Sequence, residues 1–303
     1  MAVMRLGTRG SPLALTQANM VRAALCAAHG WTDDSVDLVV IRTTGDRVQD
    51  RALTEIGGKA LWTKELDRAL LSGEIDAAVH SMKDVETVRP AAIRIAAMLP
   101  RADVRDRLIG ASSVAALKPD AVIGTSSPRR RAQLLAARPD LRIVLLRGNV
   151  ETRLAKLAAG DVDATLLAAA GLDRLGRGDV GHPLATDVML PAPAQGAVGI
   201  EVRADDAGTG TLIAAIDDAP THACVSVERS LLAALQADCH SPVAALASLA
   251  GETLVLRGEL LAEDGSARVE GLVEGVVTDE LGARLAADLL ARAPASVRQL
   301  FGA

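Results

Sequence analysis

Seven arginines crowd the thirty residues GTSSPRRRAQLLAARPDLRIVLLRGNVETR, from Gly124 to Arg153: Arg129, Arg130, Arg131, Arg138, Arg142, Arg147 and Arg153. Only two acids, Asp140 and Glu151, accompany them, in a chain whose formal charge is −5. Guanidinium groups hold carboxylates and phosphates through paired hydrogen bonds. Two of them about 6 Å apart repel by roughly 3 kcal/mol at an effective dielectric near 20, so their crowding favours an anion with several charged groups. Two more stretches carry chemistry. DAAVHSMKDV (76–85) sets Lys83 and Asp84 just past an apolar run. Asp84 could act as a general base or hold an ammonium or a ring N–H in place; the plain alternative is a surface Lys–Asp pair. LQADCHSP (235–242) sets Cys239 in a turn beside His240. Spacing alone leaves Cys239 either a reachable nucleophile or an inert loop thiol.

These residues share an address. LGTRGSP places Arg9 before the helix cap Ser11 and Pro12, GTSSPRR places the cap Ser127 before Arg129 and Arg130, and LLRGNVETR places Arg147 before Asn149, with Arg153 one turn on. Each is a junction from strand to helix, the edge of an open α/β sheet where ligands bind. Arg131, Arg138 and Arg142 read as solvated surface. The alternation that builds the junctions runs along the chain: VMRLGT, VDLVVIRT, DAAVHS, AVIGTS, RIVLLRG and DATLLA as strands, SPLALTQANMVRAALCAAHG, KALWTKELDRALLSG, PRRRAQLLAA and VETRLAKLAAG as helices. It predicts parallel sheets with crossover helices. LLSGEIDAAV (70–79) and LAAGDVDATL (157–166) repeat weakly, which suggests two similar α/β domains and an old duplication, with chance in an Ala-rich chain as the competitor. Proline-marked joints at 99–106 and 190–196, with one more strand (AVGIEV) after the second, predict that the second domain is inserted into the first. Residues 1–99 with 197–216 form domain 1, residues 100–196 domain 2, and residues 217–303 a small α+β domain with a hairpin turn at EDGS.

Composition narrows the class. The 303 residues are half apolar but include only Trp31, Trp62 and Phe301 as aromatics, so the core must be aliphatic. The acidic balance and the lack of stacking rings argue against nucleic acid as partner. MAVMRLGTRG has no charged-then-apolar leader and no apolar run is long enough to span a bilayer, so no membrane partner is expected. Three cysteines, an odd number without CxxC spacing, predict neither a disulfide framework nor a metal site. Cys26 and Cys224 fall in apolar helical patterns, and a reducing cytoplasm is the expected setting.

Taken together, GTRGSPLALTQA, GGKALWTKEL, AVHSMKDV, GTSSPRRRAQL, LRGNVETRLAKL, AGLDRLG, PAPAQGAVGIE and the DCHSP turn closely resemble the porphobilinogen deaminases, also called hydroxymethylbilane synthases. They fall in order from residue 7 to 242. The resemblance implies two α/β domains like those of periplasmic binding proteins and a third carrying a cysteine. It implies a dipyrromethane cofactor on a thioether at Cys239 and a monomeric transferase. Such an enzyme joins four porphobilinogen units head to tail, each with loss of ammonia, and releases hydroxymethylbilane for haem biosynthesis. Each pyrrole carries an acetate and a propionate, so six rings bring twelve carboxylates, which accounts for the arginines. By motif position, Arg9, Arg129, Arg130, Arg147, Arg153 and Arg174 resemble the family's carboxylate-binding arginines, and Ser11, Ser81, Lys83 and Ser127 its supporting donors. Asp84 matches the catalytic aspartate, which stabilises the cationic azafulvene. VQDRALTEIGGKALW resembles the family's mobile lid, with Lys59 as a binding residue, and Trp62 stands where phenylalanine is usual.

Two departures bear on the site. Ala237 and Asp238 precede the cysteine where the family has two glycines, and Glu86 follows HSMKDV where it has proline. The rival reading is a non-catalytic module that binds a small polyanion; it leaves Asp84 and Cys239 unexplained.

Overall fold

In a computed structural model, which describes residues 2–42, 63–251 and 253–302, the first strand β1 (Met4–Arg9) is apolar or small at most positions. That composition suits a strand paired on both sides and covered on both faces. It runs parallel to β2 (Val36–Ile41) and β3 (Ala77–Ser81). Helix α1 (Pro12–His29) makes the crossover from β1 to β2. Ser11 caps it by accepting from the Ala14 N–H at 3.3 Å, Pro12 opens it, and Gly30 ends it at φ 67°, a left-handed conformation that favours glycine. Helix α2 (Lys64–Leu71) leads to β3. The sheet is completed by β4 (Ile93–Met98) and β10 (Val198–Arg203) in the order β2-β1-β3-β10-β4.

A second sheet has the order β7-β6-β8-β5-β9, from β5 (Asp106–Ile109), β6 (Val122–Gly124), β7 (Arg142–Val144), β8 (Ala164–Ala168) and β9 (His182–Pro183). Helices α3 (Pro128–Ala137), α4 (Val150–Ala158) and α5 (Ala169–Arg174) serve it. The expectation of parallel sheets is corrected here. β10 runs antiparallel to β3 and β4, and β5 antiparallel to β8 and β9, so both sheets are mixed. The strand RIVLLRG also stops early, at Val144.

Both sheets set three parallel strands in the order second, first, third beside one antiparallel strand, which comes last in the chain in the first sheet (β10) and first in the second (β5), and the weak repeat falls on equivalent parts of each. Gly73 and Gly160 both take positive φ, 74° and 80°. The following acids do the same work. Asp76 donates its N–H to the Arg5 carbonyl and accepts the Arg5 N–H at 2.7 Å; Asp163 donates to the Val122 carbonyl and accepts the Val122 N–H at 2.7 Å. Each clips the incoming strand to the start of its parallel neighbour.

The third sheet is an antiparallel meander of β11 (Val243–Ala250), β12 (Thr253–Leu261) and β13 (Arg268–Gly275). It packs with α7 (Ala219–Ala234), α8 (Asp279–Arg292) and the short α9 (Ala295–Arg298) around Leu231, Leu256, Leu285 and Leu289. Helix α6 (Ala207–Ala214) lies against β4 and β10 of the first sheet. By compactness the chain divides into two units, Met1–Ala102 with Gly196–His222, and Asp103–Gln195 with Ala223–Ala303. No helix among the described residues is long and apolar enough to cross a membrane.

Candidate active site

In the first unit, parallel strands β1 and β3 deliver Arg9 and Ser81 at their C-terminal ends, and a tight 3-10 turn, Met82–Asp84, follows β3 at once. Arg9, Ser11, His80, Ser81 and Asp84 line one recess of about 420 Å³, open to solvent. Lys83 and Asp84 are half-buried on the turn, and Met82, fully buried, anchors it. The Asp84 carboxylate makes no hydrogen bond with the described residues. Gln17, from α1, lines the same recess and exchanges hydrogen bonds with Ser81 Oγ at 2.7 and 3.1 Å. Sequence reasoning passed over Gln17, although it sits six residues after Ser11 on the same helix.

Behind the recess lies a charged network. His80 Nε2 is 3.2 Å from Glu201 Oε2, and Glu201 takes two hydrogen bonds from Arg89, both 2.8 Å. Burial acts to raise the Glu201 carboxyl, but His80 and Arg89 outweigh it and bring it down to about 2. Arg89 also bonds Asp67 and Glu86, each at 2.5 Å, and Glu86 accepts from Thr63 Oγ1 at 2.7 Å. The Glu86 departure therefore has a structural use: with Arg89 it ties the start of α2 to the segment that follows Asp84.

In the second unit the same sheet edge carries the other arginines. Ser127 caps α3, its Oγ accepting the Arg130 N–H at 3.4 Å. Asn149 caps α4 through the Thr152 N–H at 2.9 Å. Gly148 precedes it at φ 115°, where a Cβ would come within 2.7 Å of Thr152, so glycine is required. Arg147 is buried between β7 and this cap, and Arg153 Nε reaches back to the Gly148 carbonyl at 2.9 Å. Arg174 ends α5, where burial lowers its pKa. Of the three arginines read as surface, Arg138 pairs with Asp140 at 2.6 Å, and Arg131 and Arg142 are exposed. Lys59, Trp62 and the lid-like stretch lie outside the described residues.

Arg129 and Arg130 correct one step of the sequence argument. Their proximity predicts an external anion, but the protein supplies one itself. Asp106, at the start of β5 and fully buried, takes Arg129 Nη2 on one oxygen at 2.8 Å and Arg130 Nη2 on the other at 2.7 Å. Gln195 adds a bond at 2.9 Å. Burial acts to raise the Asp106 carboxyl, but the two guanidinia outweigh it and hold it well below the usual carboxylate range. Burial likewise lowers Arg129. One carboxylate still faces two guanidinia, and the Nε atoms of both arginines are buried without an acceptor among the described residues. The pair thus keeps capacity for a further anion. Removing the internal one has a clear cost: Asp106→Asn should destabilise the chain by about 3–5 kcal/mol, the usual loss when one partner of a buried ion pair is deleted. Denaturant unfolding reads this directly, and a loss under about 1 kcal/mol would show that the guanidinia do not depend on Asp106.

Cys239 is exposed in the turn between α7 and β11 and forms no disulfide. The departures before it are accommodated. Gln236 takes the positive φ, 51°, while Ala237 and Asp238 do not, so glycine is not needed at either. Ala237 is buried. Asp238 organises the turn, accepting the His240 N–H on Oδ1 at 2.8 Å and donating its own N–H to Ser241 Oγ at 3.2 Å. Cys224 is buried in the core, and Cys26 is half-buried with its thiol on the Thr32 carbonyl.

Two family models match this chain: the porphobilinogen deaminase dipyrromethane cofactor binding domain over residues 4–211, and the porphobilinogen deaminase C-terminal domain over residues 222–291. Similar proteins include a porphobilinogen deaminase of Sphingopyxis alaskensis, 58% identical over 98% of this chain and 96% of its own length. A porphobilinogen deaminase of Paracoccus denitrificans is 52% identical over 96% and 95%. Among solved structures, a periplasmic substrate-binding protein of an ABC transporter from Coxiella burnetii aligns at TM-score 0.42 and 16% identity, covering 75% of this chain and 96% of that one.

Proposed function

The chain belongs to the porphobilinogen deaminase family, and from that premise we propose that Asp84 is its catalytic carboxylate and Cys239 the attachment point of its dipyrromethane. The enzyme joins four porphobilinogen units head to tail with loss of ammonia and releases hydroxymethylbilane. The observation that carries the residue assignment is the single recess in which Asp84 stands with Arg9, Ser11 and Ser81. A carboxylate there can balance charge that develops on the substrate pyrrole as ammonia leaves, while the guanidinium holds a ring carboxylate.

The residues present fit the cofactor. The Cys239 thiol is exposed, and the Arg129–Arg130 pair has buried Nε donors without an acceptor among the described residues and a positive charge in excess of Asp106. When bound, the dipyrromethane supplies the free pyrrole carbon to which the first substrate ring is joined. Ser127 fixes the helix start from which Arg129 and Arg130 project, and Lys83, Arg147, Arg153 and Arg174 are further cations for the acetates and propionates. Lys59 is included by motif position. We also take residues 1–99 with 197–216, 100–196 and 217–303 to act as three domains, supported by the separate core of the third sheet. A monomer in the cytoplasm is part of the same reading, supported by three cysteines that form no disulfide among the described residues. Incubation with porphobilinogen tests the assignment of the activity: ammonia and hydroxymethylbilane should appear in a ratio of four to one. Tight binding of polycarboxylates without ammonia release would mark a non-catalytic module instead.

The arginines should divide their work. Arg129 and Arg130 are built into a buried network, so they suit an anion that never leaves, the cofactor. Arg130→Leu or Arg129→Leu should therefore give mostly apoprotein by intact mass. Arg9→Leu and Arg174→Leu should keep the cofactor and stall elongation, with pyrrole-bearing intermediates accumulating. Identical mass profiles for all four variants would overturn the division.

A further inference from the structure

One buried chain of hydrogen bonds leads from the arginine helix to the strands beside Cys239. Gln133 on α3 accepts from Arg129 Nη1 at 2.9 Å and donates through Nε2 to Glu259 Oε2 at 2.7 Å. Glu259 lies on β12, 1% exposed, and its other oxygen meets Arg268 Nε at 2.5 Å. In register it stands opposite Ala244 of β11, the strand that begins four residues after Cys239. The residues between are pinned as well: the Leu261 N–H donates to the Pro242 carbonyl at 3.1 Å. A short strap closes the circuit. The Leu190 carbonyl accepts from both Arg129 Nη1 and Gln133 Nε2 at 3.0 Å, and the next carbonyl, Pro191, accepts from Ala245 of β11 at 3.0 Å.

A carboxylate at full burial is costly unless its partners are good. Burial pushes the Glu259 carboxyl up, against the pull of Gln133, Arg268 and Arg129. Leucine would fill this position among β-sheet core residues at no such cost. The turn after β12 also presses on α3: at Gly265, φ 74°, a Cβ would lie 2.4 Å from the Ala136 nitrogen, so this contact admits only glycine. The sheet that follows the cysteine and the helix that carries the arginines are thus joined by specific polar contacts and by close packing.

We propose that Gln133 and Glu259 are positioning residues for cofactor loading, holding the Cys239 turn in register with the Arg129 guanidinium. The proposal rests on the reading of Cys239 as attachment point and Arg129 as cofactor ligand. It assigns to neither residue any contact with the substrate. Displacing the turn by about 1 Å should slow attachment by tenfold or more, since errors of that size cost up to about 10²-fold in positioned reactions.

The test follows mass gain by apoprotein on addition of porphobilinogen, together with the unfolding midpoint of each apoprotein. Gln133→Leu and Glu259→Leu should load at least tenfold more slowly than the parent chain. Glu259→Gln, whose amide oxygen still accepts from Gln133, should restore most of the rate. Leu285→Ala, which opens a cavity in the core of the third sheet, should lower the midpoint and leave loading near the parental rate. Loading that merely follows the midpoint across the four variants, or that is unchanged in both leucine variants, overturns the proposal. A parent chain that gains no pyrrole mass on Cys239 overturns the attachment reading beneath it, an outcome visible before any variant is made.

Discussion

Asp84→Asn is expected to lower kcat by about 10²–10³, the cost of deleting one group that meets charge developing in the transition state. The asparagine has the same shape and can still accept a hydrogen bond from a pyrrole N–H. It cannot balance a positive charge. Ground-state binding of porphobilinogen rests mainly on guanidinium–carboxylate pairs, so kcat and kcat/KM should fall together while KM moves little. The turn Met82–Asp84 is held by buried Met82 and by the Met82 N–H on the Ala197 carbonyl at 3.1 Å, neither of which involves the carboxylate. The unfolding midpoint should therefore stay near that of the parent. Asp84→Glu keeps the charge but moves it by one methylene, and should fall between the two. Steady-state kinetics on purified protein decide the matter, and near-parental kcat in the asparagine variant would remove Asp84 from the mechanism.

The parts of this site that were legible in the sequence are those governed by local chemistry. Ser11, Ser127 and Asn149 announce their helices because a cap bonds a backbone N–H only a few residues away. The address of Arg9, Ser81 and Arg147 follows from strand–helix alternation alone. The parts that were not legible are tertiary. Asp106 stands 23 residues before Arg129 in a stretch, VRDRLI, where an acid reads as solvated; only the fold shows that it is buried between two guanidinia. VAALASLA has helical composition and became β11 because β12 offers it eight paired positions. The antiparallel sense of β10 and β5 depends on where the chain re-enters each sheet, which no local pattern encodes. Glu86 reads in the sequence as a lost proline, and only the fold brings to it Thr63 and Arg89, the arginine that also holds Glu201.

The purified chain should be heavier than its sequence by one dipyrromethane, and Cys239→Ser should carry none and turn over no substrate. Thiolate is a far better nucleophile than a neutral hydroxyl near pH 7, so serine in the same turn cannot form the corresponding ether at a useful rate. The turn itself should survive, because the bonds that Asp238 makes with the His240 N–H and with Ser241 Oγ remain in the variant. Neither remaining thiol can substitute. Cys224 is 7% exposed within the core of the third sheet, and Cys26 is half-buried on α1. A peptide map should find the added mass on Cys239 alone in the parent and on no cysteine in the variant. Two further outcomes are informative. Added mass that persists in Cys239→Ser would place the cofactor elsewhere. A free Cys239 in a preparation with full activity would separate turnover from covalent attachment altogether.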